Sequence, residues 1–194
     1  MKILAVAILA LLAVSALAES PNTTLMLKKL AKTGSFSQTQ VNNARDMLEA
    51  CVPYINEPRK LAYVLSTAIG ESSLTPIKEY RCSPSQSCYQ AQERYWYTGY
   101  YGRGYVQLTW KDNYAKFGNL LGIDLVGKPD LALQPATAGK IICIGMAKGL
   151  FTGVGLNNYF NSVNDWTNAR RIINGMDKAQ EFGDRAKRIF DAVV

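Results

Sequence analysis

Two glutamates eight residues apart, Glu71 and Glu79, are where this sequence can do chemistry. A pair of carboxyl groups supplies an acid and a base. Set on either side of a glycosidic bond, with room for a water between base and sugar, such a pair cleaves the bond with inversion. Pro76 lies between them and breaks the helix that bears Glu71, so the two can face each other across a groove instead of lining one helix side. Glu71 falls on the last turn of that helix, beside its apolar stripe. The C-terminal end of the helix dipole repels a carboxylate there, and shielding from water would add to the effect, so the proton a general acid needs is expected to stay.

The stretch Tyr100 to Tyr114, YYGRGYVQLTWKDNY, supplies the wall of a cleft. Gly102 and Gly104 bracket Arg103 and permit a tight turn with the guanidinium aimed inward. The alternation that follows predicts a short strand over 104–109. Val106, Leu108 and Trp110 would enter a core, while Tyr105, Gln107 and Thr109 would face a polar ligand. Just before it, the aromatic stretch from Tyr89 to Tyr101 offers rings that pack a core or stack on sugars.

What the chain lacks narrows the chemistry further. There is no histidine, which excludes Ser/His/Asp and Cys/His catalysis and a histidine zinc site. Gly102, Arg103 and Gly104 lack the third glycine and the lysine of nucleotide-binding loops. Carboxylates, hydroxyls and amides are left to act, and no cofactor or metal is implied.

Helical patterns must position these groups. The spacing predicts helices over 24–32, ended by Gly34, and from Ser37, its N-cap, through Cys51. The strongest runs from Glu57 to Ser72, with Pro58 in its first turn and Leu61, Val64, Leu65, Ala68 and Ile69 on one stripe. Others follow Tyr114 to Leu121, Ala136 to Leu150 and Trp166 to Ile173. Asp177 and Gln180 are expected to cap a last helix that ends at Val193.

Residues 1–18 read as a secretory signal, with Lys2 before the apolar run and Ala16, Leu17, Ala18 at the cleavage point. Residues 19–194 are then expected to form one domain, secreted or delivered to a vacuolar or granular lumen, monomeric and without a membrane span. In that compartment the four cysteines are expected to form two bridges, for which three pairings are possible. The one favoured joins the close pair Cys82 and Cys88 locally and leaves Cys51 with Cys143, for roughly 2 to 3 and 4 to 5 kcal/mol respectively in the chain-entropy model. Asn22 opens a glycosylation sequon. The formal charge of +7 suits an anionic polymer, but the scattered lysines and arginines argue against nucleic acid.

YYGRGYVQLTWKDNY resembles the signature of family 19 glycoside hydrolases, the chitinases and related endolysins of the lysozyme-like superfamily. LAYVLSTAIGE from Leu61 to Glu71, the segment Lys128 to Ala132 and the closing Arg171 to Gly175 are similar to it in the same order. The resemblance implies a mainly α, lysozyme-like bilobal domain with at most a small β-hairpin beside the cleft. It makes Glu71 the general acid, Glu79 the base and Thr109 the hydroxyl that holds the attacking water. Gln107, Asn113 and Asn174 become cleft amides, Tyr101 a substrate contact, and Arg103 and Arg185 cleft-side groups. Glu93 is the rival base. Plainer readings make Asn174 a helix-ending residue and Arg185 a surface charge.

One departure stands out. The family usually has a histidine immediately before the acid, and here that position is Gly70. The function implied is an inverting endo-glycosidase acting on an amino-sugar polysaccharide. Peptidoglycan is favoured by the basic charge and by likeness to the short endolysin branch, and chitin is the alternative. A carbohydrate-binding defence protein that has lost turnover is the reading from another class.

Overall fold

The structure, a computed structural model, describes residues 21–194 apart from Gly34; the signal over residues 1–18 and the side chain of Asn22 lie outside the described residues. Helix α1, Pro21–Lys32, buries Met26, Leu27 and Leu30. Helix α2, Gln38–Cys51, starts on the expected cap: the Ser37 hydroxyl accepts from the Gln40 N–H and the Gln40 side chain accepts from the Ser37 N–H, a reciprocal capping box. Helix α3, Pro58–Ser72, has proline in its first turn and is buried continuously from Leu61 to Ala68, so it runs through the core instead of lying on it. Ser73 and Leu74 end it with left-handed backbone at φ 50° and 59°, before Pro76 is reached.

Strand β1, Ile77–Lys78, pairs antiparallel with β2, Arg103–Gly104, in the register Ile77 to Gly104 and Lys78 to Arg103. Between them the chain makes the short helix α4, Tyr89–Glu93, and a 3₁₀ turn over Trp96–Thr98. Helix α5, Lys111–Leu121, follows, then a 3₁₀ segment Pro129–Leu133 and helix α6, Pro135–Lys148. Two more 3₁₀ segments, Leu156–Asn158 and Asn168–Ile172, lead to helix α7, Ala179–Asp191.

Two apolar clusters build the core. The larger joins α1, α2 and α3 through Met26, Met47, Leu48, Tyr63 and Leu65. The smaller gathers Leu108, Tyr114, Phe117 and Leu125 around α5. Helix α6 serves both, giving Ile142, Cys143 and Met146 to the first and Ile141 and Ile144 to the second, which is why its run from Ile141 to Met146 is buried on every side. This bears out a mainly helical, two-lobed fold with a minimal sheet. Both expected disulfides are present, Cys51–Cys143 between α2 and α6 and Cys82–Cys88 around the loop before α4.

Three local expectations are corrected. No strand runs over 104–109: Gly104, Gln107 and Trp110 take φ of 83°, 53° and 74°, and the chain curls so that Arg103 and Leu108 exchange backbone hydrogen bonds. The two-face alternation therefore fails. Tyr105 is fully buried with its hydroxyl on the Asn43 carbonyl at 3.2 Å, and Trp110, expected in the core, is 43% exposed. The helix expected over Trp166–Ile173 is 3₁₀ and spans Asn168–Ile172. Asp177 and Gln180 do not cap α7, because Lys178 enters it in a left-handed conformation and Gln180 bonds forward to Asp184 and back to Thr167.

Candidate active site

The arginine between the two glycines is the support on which the site is hung. Arg103 is 4% exposed. Its Nε donates to Asp130 Oδ1 at 2.7 Å and its Nη1 to the Gly99 and Tyr101 carbonyls and the Tyr114 hydroxyl at 3.0, 3.1 and 2.9 Å. The guanidinium also lies 4.1 Å from the centre of the Tyr101 ring, which stacks on Trp96 at 4.4 Å. Arg103 is thus aimed inward as expected, and it ties loop 99–101, α5 and the Asp130 turn together. Hydrogen bonds from Arg103 and then Lys78 hold the Asp130 carboxyl below its ordinary range. Tyr101 is the only one of these partners that was assigned to substrate; its ring is half-buried beneath that cation.

Glu79 follows directly from strand β1, and its own N–H donates to the Gly102 carbonyl at 2.8 Å. Three uncharged donors converge on its carboxylate. Gln92 Nε2 and the Tyr95 hydroxyl reach Oε1 at 2.8 and 2.6 Å, and the Gly102 N–H reaches Oε2 at 2.9 Å. Uncharged donors orient an anion without neutralising it, as a base acting on water requires. Burial, and then the bond to Glu79, push the Tyr95 hydroxyl up to about 12, so it remains a donor at ordinary pH. Gln92 is itself buried and also bonds the Tyr80 carbonyl and the Cys82 N–H, linking α4 to the segment that carries Glu79. A Cβ at Gly102 would come within 3.2 Å of Glu79 Oε2 and 2.8 Å of Gln107 Oε1, so any larger residue there pushes on both groups. Glu93, the rival base, is turned into an ion pair with Arg81.

The polar residues of the turn are largely occupied by the turn itself. Gln107 Nε2 donates to the Ile77 and Gly104 carbonyls, both at 3.1 Å, and so braces the two strands. The Thr109 hydroxyl donates to the Gln107 carbonyl at 2.9 Å, which leaves its oxygen able to accept. Asn113 Nδ2 donates to the Thr109 carbonyl at 2.9 Å at the start of α5, and its Oδ1 accepts from Lys116.

Glu71 is held by a different partner. Its carboxylate, 22% exposed, accepts from Arg170 Nη1 at 2.6 Å. Arg170, buried on the 3₁₀ segment, was not anticipated from sequence; its Nε donates to the Asp177 carbonyl at 3.0 Å and its guanidinium covers the Phe182 ring at 4.1 Å. Glu71 is therefore held by a cation and only partly shielded. Asn174 is exposed. Its N–H bonds the Arg170 carbonyl and its Oδ1 accepts from the Gly175 N–H, the turn-ending geometry of the plainer reading. Arg185 is more than a surface charge: from α7 it reaches the Ser66 carbonyl on α3 at 3.2 Å and pairs with Glu181.

Gln92, Tyr95, Trp110 and Arg170 carry no local signal of their role. Only the aromatic richness of 89–101 hinted at one of them, Tyr95. Trp110 lies edge-on to Tyr95 with ring centres 5.1 Å apart, so an exposed indole stands beside the ring that holds Glu79. Tyr80, next in the chain to Glu79, is 84% exposed.

The fold has solved counterparts. A bacterial family 19 chitinase superposes with a TM-score of 0.52 at 21% identity, over 90% of this chain and 85% of that one. Chitinase C from Streptomyces griseus HUT6037 gives 0.50 at 23% identity, over 90% and 69%. At these identities the likeness establishes the fold. Part of the sequence has matches as well. The family model described as Chitinase class I matches residues 71–146, beginning on Glu71 and running through Glu79, the Gly102–Gly104 turn and most of α6. Chitinase 8 of Oryza sativa subsp. japonica is 66% identical over 37 residues, 19% of this chain and 14% of that protein. Endochitinase CH5B of Phaseolus vulgaris is 39% identical over 59 residues, 30% and 14%. Inactive chitinase-like protein 1 of Hevea brasiliensis is 38% identical over 60 residues, 31% and 15%. The chain thus matches these relatives over about one seventh of their length.

Proposed function

We propose that this protein is an endo-glycosidase that cleaves β-1,4 bonds between N-acetylated amino sugars by a single inverting displacement, with chitin as its substrate. Glu71 gives its proton to the leaving oxygen while Glu79 takes one from a water held by Thr109, and no covalent intermediate forms. The observation that carries this reading is the carboxylate of Glu79, oriented by Gln92, Tyr95 and the Gly102 N–H next to exposed Trp110, within the segment shared with class I chitinases. Exposed aromatic faces suit the C–H faces of sugar rings. Two of the relatives named above are chitinases and the third is chitinase-like, which moves the substrate from peptidoglycan, favoured on charge and on likeness to the short endolysin branch, to chitin. Two disulfides support delivery to an oxidising compartment.

Mass analysis of products from chitin hexamer and from purified peptidoglycan tests this. Shorter chitin oligomers with the anomer opposite to the substrate linkage are expected, and fragments from peptidoglycan alone would return the substrate to the wall polymer.

A second reading, a chitin-binding protein without turnover, is favoured by two observations: the relative from Hevea brasiliensis is named inactive, and this chain has Gly70 where the family usually has histidine. Retention on chitin beads with no new reducing ends would establish it.

A further inference from the structure

The absence of a side chain at position 70 has a structural counterpart on the last helix. A Cβ at Gly70 would lie 2.3 Å from Phe182 Cζ, 2.5 Å from Cε1 and 2.9 Å from Arg185 Nη1, so the Phe182 ring takes the place a side chain would need. Phe182 is 3% exposed, yet it belongs to neither apolar cluster. Its neighbours are two guanidinium groups, Arg170 at 4.1 Å and Arg185 at 5.3 Å from the ring centre. A buried aromatic between two cations contributes through its π faces as well as its area. Its backbone is pinned too, since the Ser66 hydroxyl on α3 donates to the Phe182 carbonyl at 2.8 Å.

We infer that Phe182 is a positioning residue: seated against Gly70, it presents a flat face that fixes the Arg170 guanidinium, and through it the orientation of the Glu71 carboxyl. The inference rests on the glycosidase reading for its kinetic consequence and on geometry alone for its structural one. Arg170 has two fixed points besides the ring, the Asp177 carbonyl and Glu71. Without the aromatic face the guanidinium plane is free to tilt about those two, and Glu71 tilts with it. Gly70 and Phe182 form one unit, because any larger residue at 70 displaces the ring.

The test is kinetic and spectroscopic on the full chain. Phe182→Leu keeps apolar bulk and removes the π face. It is expected to lower kcat on chitin hexamer at least about 10-fold with KM within about twofold, and to move a limb of the pH–rate profile, since misplaced catalytic groups cost turnover more than binding. The ¹⁵N relaxation of the Arg170 Nε–H group should show a loosened side chain in the same variant. Val41→Ala, a core truncation in α2, serves as the control for general destabilisation and should leave kcat, the profile and Arg170 unchanged. Wild-type kcat and an equally ordered Arg170 in Phe182→Leu would overturn the inference.

If Phe182→Leu does not fold, Gly70→Ala is read instead. It pushes on the ring from the other side, although alanine is the better helix former. It should reproduce the fall in kcat and the looser Arg170, and unchanged values in it overturn the proposal. If wild-type protein hydrolyses no polysaccharide, the glycosidase reading fails, and the Arg170 relaxation in the two variants decides the positioning role by itself.

Discussion

Glu79 and Glu71 are held in opposite ways, and that difference is the clearest residue-scale statement about their roles. Neutral donors surround one and a buried guanidinium grips the other. Replacing either by glutamine keeps the shape and removes the proton chemistry. Each of Glu71→Gln and Glu79→Gln should cut kcat on chitin oligomers by about 10² to 10⁴, with both proteins folded by circular dichroism. Glu71→Gln that keeps most of its rate would sink the acid assignment. Tyr95→Phe removes one oriented donor from Glu79 Oε1 and leaves Gln92 in place. A fall of about 10-fold in kcat is expected, and Glu93→Gln, which breaks only the pair with Arg81, should leave kcat close to wild type.

At the scale of elements, loop 99–104 is rigid because Arg103 is buried and bonded on all sides. Arg103→Met should destabilise the protein by about 1 to 3 kcal/mol, read from urea midpoints, since it removes four hydrogen bonds and leaves the Gly99 carbonyl without its donor, while Asp130 keeps Lys78. The same ion pair sets an acid limit. The folded-state carboxyl of Asp130 is depressed below its ordinary value of 3.8, so its contribution to stability is complete above that value and is lost as pH falls through the lower, folded one. Asp130→Asn should therefore lower the urea midpoint at about pH 6, and the gap from wild type should close toward about pH 2. The carboxyl is 61% exposed, so the gap will be modest. The Cys82–Cys88 loop belongs at this scale too. It carries the N–H that Gln92 Oε1 accepts from, so replacing both cysteines by serine should loosen the support of Glu79 and lower kcat before it unfolds the protein.

For the whole molecule, Cys51–Cys143 fastens α2 to α6 across a sequence separation of 92 residues, inside the larger apolar cluster and on the helix shared by both. Its loss should cost about 4 to 5 kcal/mol in the chain-entropy model, seen as a drop in Tm much larger than that for Cys82–Cys88. Where the chain is locally consistent, its order could be read in advance. Ser37 and Gln40 cap a helix because their side chains meet backbone groups three residues away. The two disulfides followed from the close spacing of Cys82 and Cys88, and the segment that matches the class I chitinase model is contiguous over residues 71–146.

Sequence alone determined the helical class, the local cysteine pair it favoured, the inward arginine and the two carboxyl candidates, because each depends on neighbours along the chain or on a residue type with few alternatives. Tertiary structure alone decided the rest. Whether Gln107 faces sugar or backbone depends on left-handed turns that alternation does not encode, and the Arg170 that meets Glu71 comes from 99 residues away. The Phe182 that fills the space beside Gly70 arrives on the last helix. Periodicity speaks about which face of an element is buried; partners brought from distant segments are chosen by packing.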